Sequence, residues 1–248
     1  MRFRAAVAIA FLVPAGSWDV SSATSATGDG RLRARPQTPT ATFTKGMSEL
    51  GMGKPRDGLL YVPPGYRPDK PAPFVVLLHG AGQDAHTLMD PMRPLADELG
   101  LVLLAPESRQ GSWDVRYGGY DVDVEFIDAA LAKVFAKVNI DPARIGVAGF
   151  SDGASYALSI GLINGDLFSR VAAFSPGFVG RGQYVGKPAI FVSHGTDDQV
   201  LPIGRTSRVL VPRLEDAGYK VEYHEFAGRH RVDPELLRRA SKWLAATR

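Results

Sequence analysis

Ser151 sits in Gly149-Phe150-Ser151-Asp152-Gly153, a G-x-S-x-G pentapeptide between an apolar run at 145–148 and a helical pattern at 154–162. That setting suits a sharp strand-to-helix turn carrying a nucleophile at its tip. Gly149 and Gly153 lack side chains, so backbones can pass closely on either side of the serine. The following helix N-terminus favours negative charge beside it. A serine hydroxyl is a weak nucleophile near neutral pH. It needs a base within hydrogen-bond reach, and the base needs an orienting carboxylate. In open α/β sheets such groups gather at the carboxyl ends of strands, and on this type of turn they follow the serine in the order acid, then histidine. The chain offers Asp197 and Asp198 after an apolar run at 189–192, and His230 after a strand-like run at 221–226. Asp198 is taken as the acid, with Asp197 as the other candidate, and His230 as the base. Each alone reads as turn chemistry or a solvated loop residue. Their order, each after its own strand, favours a catalytic set.

Acyl transfer also needs donors aimed at the developing oxyanion. His79-Gly80-Ala81-Gly82 follows an apolar run at 74–78, and its small residues let the backbone turn toward the serine. The backbone N–H groups of Ala81 and Asp152 are the expected donors. A carboxylate facing an oxyanion would be harmful, so the Asp152 side chain should point away or cap the helix. His79 and His194 read as loop support, and His86 and His224 as ordinary surface and strand residues. No metal is expected, since no partner for His79 stands out at ligand spacing, and no organic cofactor is needed.

The elements that must position these groups alternate. Strands are expected at 59–62, 74–78, 101–105, 145–148, 171–174, 189–192 and 221–226. Helices are expected at 88–99, 124–138, 154–162, 206–217 and 234–244, with Pro91 and Pro94 confined to the start of the first or kinking it, and Asp123 as the N-cap of the second. The fold class is α/β, with a mostly parallel central sheet covered by helices on both faces.

Length and composition agree. The chain has 248 residues, of which 45% are apolar, enough for one α/β domain. Basic residues number 29 and acidic residues 26, and they are interspersed. That argues against nucleic acid as a partner. The absence of cysteine excludes a disulfide framework, a thiolate metal site and a cysteine nucleophile. Residues 1–26 have the form of a signal peptide. Arg2 and Arg4 precede a short apolar run at 5–13, followed by Pro14, Gly16 and small residues. The run is too short for a stable membrane span, and a secreted or periplasmic location follows. Residues 27–45, rich in small and polar residues, read as a flexible lead-in, and residues 46–248 as a single domain.

With these motifs placed, the chain resembles α/β-hydrolases of the phospholipase/carboxylesterase type, and is similar to secreted feruloyl esterases and polyhydroxyalkanoate depolymerases. The resemblance covers about 58–244. It rests on the His79 turn, the Ser151 pentapeptide, the segment from His194 to Pro202, and Gly228-Arg229-His230. In the family's H-G-x-x-D-x-x-V/L-P pattern the acid is the fifth residue, which is Asp198. The resemblance implies a serine hydrolase of carboxylic esters working through an acyl-enzyme, on small-molecule or polymeric ester substrates. A departure is that Arg229 and Arg231 flank His230. They either reach solvent or meet an anionic substrate group.

Loops leaving the catalytic ends of strands should shape the pocket. Those at 107–120 and 176–187 carry Trp113, Tyr117 and Phe178, read as substrate-binding residues. Neither loop is long enough for a large helical lid. The rival readings are a serine peptidase on the same fold and an idle hydrolase-like binding protein.

Overall fold

The apolar run at 74–78 becomes the centre of β3 (Ala72–Leu78), a strand buried along its whole length. In the computed structural model, which describes residues 28–52 and 55–247, β3 lies inside an eight-stranded sheet. Its companions are β1 (Gly46–Glu49), β2 (Gly58–Val62), β4 (Val102–Pro106), β5 (Ile140–Phe150), β6 (Arg170–Phe174), β7 (Ala189–Gly195) and β8 (Val221–Phe226). The spatial order is β1-β2-β4-β3-β5-β6-β7-β8. β1 and β2 pair antiparallel, as do β2 and β4, and every later pairing is parallel. This is the α/β-hydrolase fold, with a mostly parallel sheet and helices on both faces.

Alternate side chains of β3 feed two separate cores. Phe74, Val76 and Leu78 join the helices α2 (Val122–Phe135), α3 (Asp152–Ile163) and α4 (Ser207–Asp216) on one face. Val75 and Leu77 join α1 (His86–Leu99) and α5 (Pro234–Ala245) on the other. A strand buried on both faces needs apolar residues at every position, and each such side chain contributes about 1.5–3 kcal/mol through burial.

Three expectations need correction. α1 runs through Pro91 and Pro94, so of the two expected arrangements the one that confines them to the helix start does not hold. Each proline removes a donor to the carbonyl four residues earlier, at Thr87 and Asp90. Neither of those residues is buried, so water can take the donor's place. Asp123 is not the N-cap of α2, which is Asp121. Asp123 is buried in the first turn, where its carboxylate accepts the backbone N–H of Arg109 at 2.6 Å and of Asp114 at 2.8 Å.

The third correction concerns the lead-in. Leu32 is in the core at 1% exposure. Its N–H donates to Asn164 Oδ1 at 2.8 Å, and Asn164 Nδ2 donates back to the Gly30 carbonyl at 2.8 Å. Arg31 donates to the Ile163 carbonyl and pairs with Asp166 at 2.9 Å. The N–H groups of Arg33 and Ala34 share Asp128 Oδ1. The segment has no secondary structure of its own but is stitched to the middle of α2 and across the end of α3. The signal-peptide reading at 1–26 lies outside the described residues. Among the described residues no helix is long and apolar enough to cross a membrane.

Candidate active site

Ser151 links β5 to α3 with φ 56° and ψ −119°, a backbone conformation that non-glycine residues rarely adopt. The flanking glycines explain how the turn closes. A Cβ on Gly149 would lie 2.1 Å from the Gly153 carbonyl oxygen, and a Cβ on Gly153 would lie 2.1 Å from that of Leu78. Either would collide with backbone, so both positions of the pentapeptide require glycine. The Ser151 N–H donates to the Phe174 carbonyl at 2.9 Å, which fixes the turn to the end of β6.

His230 follows β8, and its Nε2 is 2.9 Å from Ser151 Oγ. Its Nδ1 is 2.6 Å from Asp198 Oδ2. With Asp198 ionised, Nδ1 carries the proton and donates, which leaves Nε2 as the acceptor for the serine hydroxyl. The Phe150 ring packs against the imidazole with 4.8 Å between centroids. The acid and histidine loops are tied together, since Thr196 N–H donates to the Phe226 carbonyl and Asp197 N–H to that of Gly228, both at 2.9 Å.

Of the two neighbouring aspartates, the hydrogen bonds fall on Asp198. Its Oδ1 accepts the N–H groups of Val200 and Leu201, both at 2.8 Å. Asp197 is exposed. His194, fully buried, donates from Nε2 to the Leu201 carbonyl at 2.8 Å and faces Asp198 Oδ2 at 3.1 Å. Its Nδ1 is 2.7 Å from Ser207 Oγ, the donor to it. Burial pushes the His194 pKa down, which keeps the ring neutral and suits this arrangement. His194 therefore ties the acid loop through the Leu201 carbonyl and Ser207 and packs directly against the acid.

The turn after β3 is held from several sides. His79 is buried, and its Nε2 accepts the Ser108 N–H at 3.0 Å, so its Nδ1–H donates to the Gly80 carbonyl at 2.7 Å. Burial lowers its pKa as well. Gly80 N–H donates to Gln83 Oε1 at 3.0 Å, Gly82 N–H to the Gly111 carbonyl at 2.7 Å, and Arg56 to the carbonyls of Ser108 and Gln83. Among the described residues, the N–H groups of Ala81 and Asp152 have no backbone partner. A Cβ on Gly80 would lie 3.4 Å from the Ser151 Cβ, so the turn abuts the serine. The Asp152 carboxylate makes no cap. It accepts from Ser112 Oγ at 2.7 Å and pairs with Arg116.

Trp113 does not line a cleft. It is 1% exposed, stacked on Tyr156 at 4.9 Å and packed beside His79 at 4.8 Å, and its Nε1 donates to the His79 carbonyl at 2.8 Å. It buttresses the turn from beneath. Tyr117, in a 3-10 turn at Asp114–Tyr117, is exposed. Phe178 is half-buried, in a loop whose amides at Gly177 and Gly180 donate to Ser155 and Ser159 of α3. Arg231 pairs with Asp233 at 3.0 Å and lies over the Phe226 ring, while Arg229 is exposed. No group of three potential metal ligands occurs among the described residues.

Known proteins resemble this chain over most of the domain. Feruloyl esterase C of Emericella nidulans is 26% identical over 170 residues, covering 65% of this chain and 61% of that protein. A bifunctional acetylxylan esterase/xylanase of Neocallimastix patriciarum is 28% identical over 161 residues, covering 62% of this chain and 22% of that one. The alignments thus span about three fifths of the first relative and less than a quarter of the second. The crystal structure of esterase PE8 superimposes with a TM-score of 0.56 at 27% identity, covering 71% of this chain and 95% of that one. Residues 122–248, just over half of the sequence, match the phospholipase/carboxylesterase family, and the chain belongs to it.

Proposed function

We propose that the protein is a serine hydrolase that cleaves carboxylic esters through an acyl-enzyme. The observation that carries the reading is the continuous run of hydrogen bonds from Ser151 Oγ through His230 to Asp198. Ser151 Oγ attacks the ester carbonyl while His230 Nε2 takes its proton. Asp198 keeps the imidazole in the productive tautomer and stabilises its charged form. The amides of Ala81 and Asp152 donate to the tetrahedral oxyanion at the start of α3, where the helix dipole adds to them. His230 then protonates the leaving alcohol. Water, deprotonated by the same histidine, releases the acid from Ser151.

The relatives named for feruloyl and acetylxylan esterase activity support hydroxycinnamoyl and acetyl esters as the first substrates to try. The leader-like pattern at 1–26 supports export, checked by sequencing the N-terminus of protein recovered outside the cytoplasm. Initial rates on p-nitrophenyl esters of increasing acyl length, beside methyl ferulate and acetylated xylan, test the activity. Turnover that Ser151→Ala abolishes while leaving the fold intact is expected. A folded protein that labels with a fluorophosphonate but cleaves no ester would replace this reading with a peptidase, and one that does not label would leave a binding protein.

A further inference from the structure

Asp152 is an unusual residue to follow a nucleophile. In the reading above its amide donates to an oxyanion, yet the same residue carries a carboxylate on a side chain only 9% exposed. A like charge on the donor residue itself, largely shielded from solvent, opposes the charge developing on the substrate oxygen. The carboxylate is turned into the 107–121 loop, where Ser112 Oγ donates to Oδ2 at 2.7 Å and the Arg116 guanidinium pairs with the same oxygen. Arg116 is itself only 24% exposed, so this pair is less screened than a surface one.

We propose that Arg116 is a positioning residue for the oxyanion site: by holding and neutralising the Asp152 carboxylate, it lets the Asp152 amide stabilise an oxyanion. The guanidinium does not touch substrate; it acts through Asp152. The inference rests on Ser151 as nucleophile and on the Asp152 amide as donor.

A simple tether between the loop and α3 would use the same contacts, so the test must separate charge from anchoring. Two rates are read: kcat on a p-nitrophenyl ester, and the rate at which a fluorophosphonate labels Ser151, which builds the same charge on oxygen without turnover. Arg116→Met should lower both by roughly tenfold to a hundredfold with KM little changed, because one donor at such a site is worth about 10²–10³ in rate. Arg116→Lys, which keeps the charge, should retain most of both. Adding Asp152→Asn to Arg116→Met should return both rates to within roughly threefold of the unaltered protein, since no charge is then left to neutralise. If Arg116→Met does not fold, the comparison is made with Asn at 152, where exchanging Arg116 for Lys or Met should leave the rates within that same range. Unchanged rates in Arg116→Met overturn the proposal. So does a loss that persists in the double variant, which would make the pair a tether. An unaltered protein that neither turns over nor labels would sink the parent reading and this inference with it, whereas an active protein indifferent to Arg116 sinks the inference alone.

Discussion

His194 and His230 converge on one oxygen. Asp198 Oδ2 lies 2.6 Å from His230 Nδ1 and 3.1 Å from His194 Nε2. The second imidazole is fully buried and kept neutral by that burial. Its single N–H goes to the Leu201 carbonyl, so it lies against the carboxylate without adding a charge that would compete with the imidazolium of His230. The acid is thus held by two backbone amides on Oδ1 and by His230 on Oδ2, with the neutral His194 ring packed beside that oxygen.

Replacing His194 with leucine should therefore show in two measurements. It strands Ser207 Oγ in the interior and leaves the Leu201 carbonyl only the long 3.4 Å bond from Thr206 Oγ1, which costs about 1–3 kcal/mol in chemical denaturation. It also loosens the carboxylate, and kcat of the folded fraction should drop by roughly tenfold. That falls well short of the roughly 10⁴-fold loss attached to losing the acid's control of the histidine tautomer. His194→Gln, whose amide can still donate, should recover part of both losses. An unaltered kcat in the folded leucine variant would reduce His194 to a packing residue.

Asp123 gives the fold a pH dependence of definite sign. Burial is the largest influence on its carboxyl, and the Asp114 carboxylate adds to it. Against these, the N–H groups of Arg109 and Asp114 pull the other way, and the net result is a pKa pushed up to about 6. Unfolded, the group titrates near 3.9. Between those values the native state keeps a proton that the unfolded chain releases. Its stabilising contribution is therefore full below about pH 4 and lost as pH rises through about 6, by about 2–3 kcal/mol in all. The difference in unfolding free energy between the unaltered protein and Asp123→Asn should fall by that amount from pH 4 to pH 7 and stay flat above. A difference that does not change over this range would mean that Asp123 titrates as in the unfolded chain.

The legible parts of the molecule are those where local pattern and tertiary demand coincide. Apolar runs such as 74–78 mark buried parallel strands, and the glycines beside Ser151 mark a turn that nothing larger can close. Residue types narrowed the acid to two neighbours. The hydrogen bonds to Asp198 come from amides two and three residues further on and from His230, and composition does not encode that geometry. Trp113 was harder still. An aromatic in a surface loop can face the cleft or the core, and the choice depends on Tyr156 and His79, which the chain brings to it from afar. The segment at 28–36 was illegible for a similar reason. Its own residues resemble a linker, and the groups that order it, Asn164, Asp166 and Asp128, lie about a hundred residues or more away in sequence.

That segment should matter to stability out of proportion to its composition. Leu32 is 1% exposed and its N–H is taken up by the buried Asn164. Leu32→Ala should cost about 2–4 kcal/mol through lost burial and the cavity left behind. Arg33→Ala, whose backbone bond to Asp128 survives the change, should cost under about 0.5 kcal/mol. Equilibrium denaturation of the two variants checks the contrast. Equal, small effects would mean that the segment detaches without consequence for the domain.

The position of Trp113 can be tested by which kinetic constant it moves. A residue lining the acyl pocket changes KM and the preference among acyl chains when it is altered. A residue beneath the oxyanion turn changes kcat alike for every substrate. Trp113 donates to the His79 carbonyl and stacks on Tyr156. Trp113→Phe should remove that hydrogen bond while keeping most of the stacking. It should lower kcat by roughly threefold to tenfold across a series of esters, leaving their relative KM values in place, with a stability loss of about 1–2 kcal/mol from the carbonyl left unpaired. A selective change for one acyl length would return Trp113 to the substrate pocket.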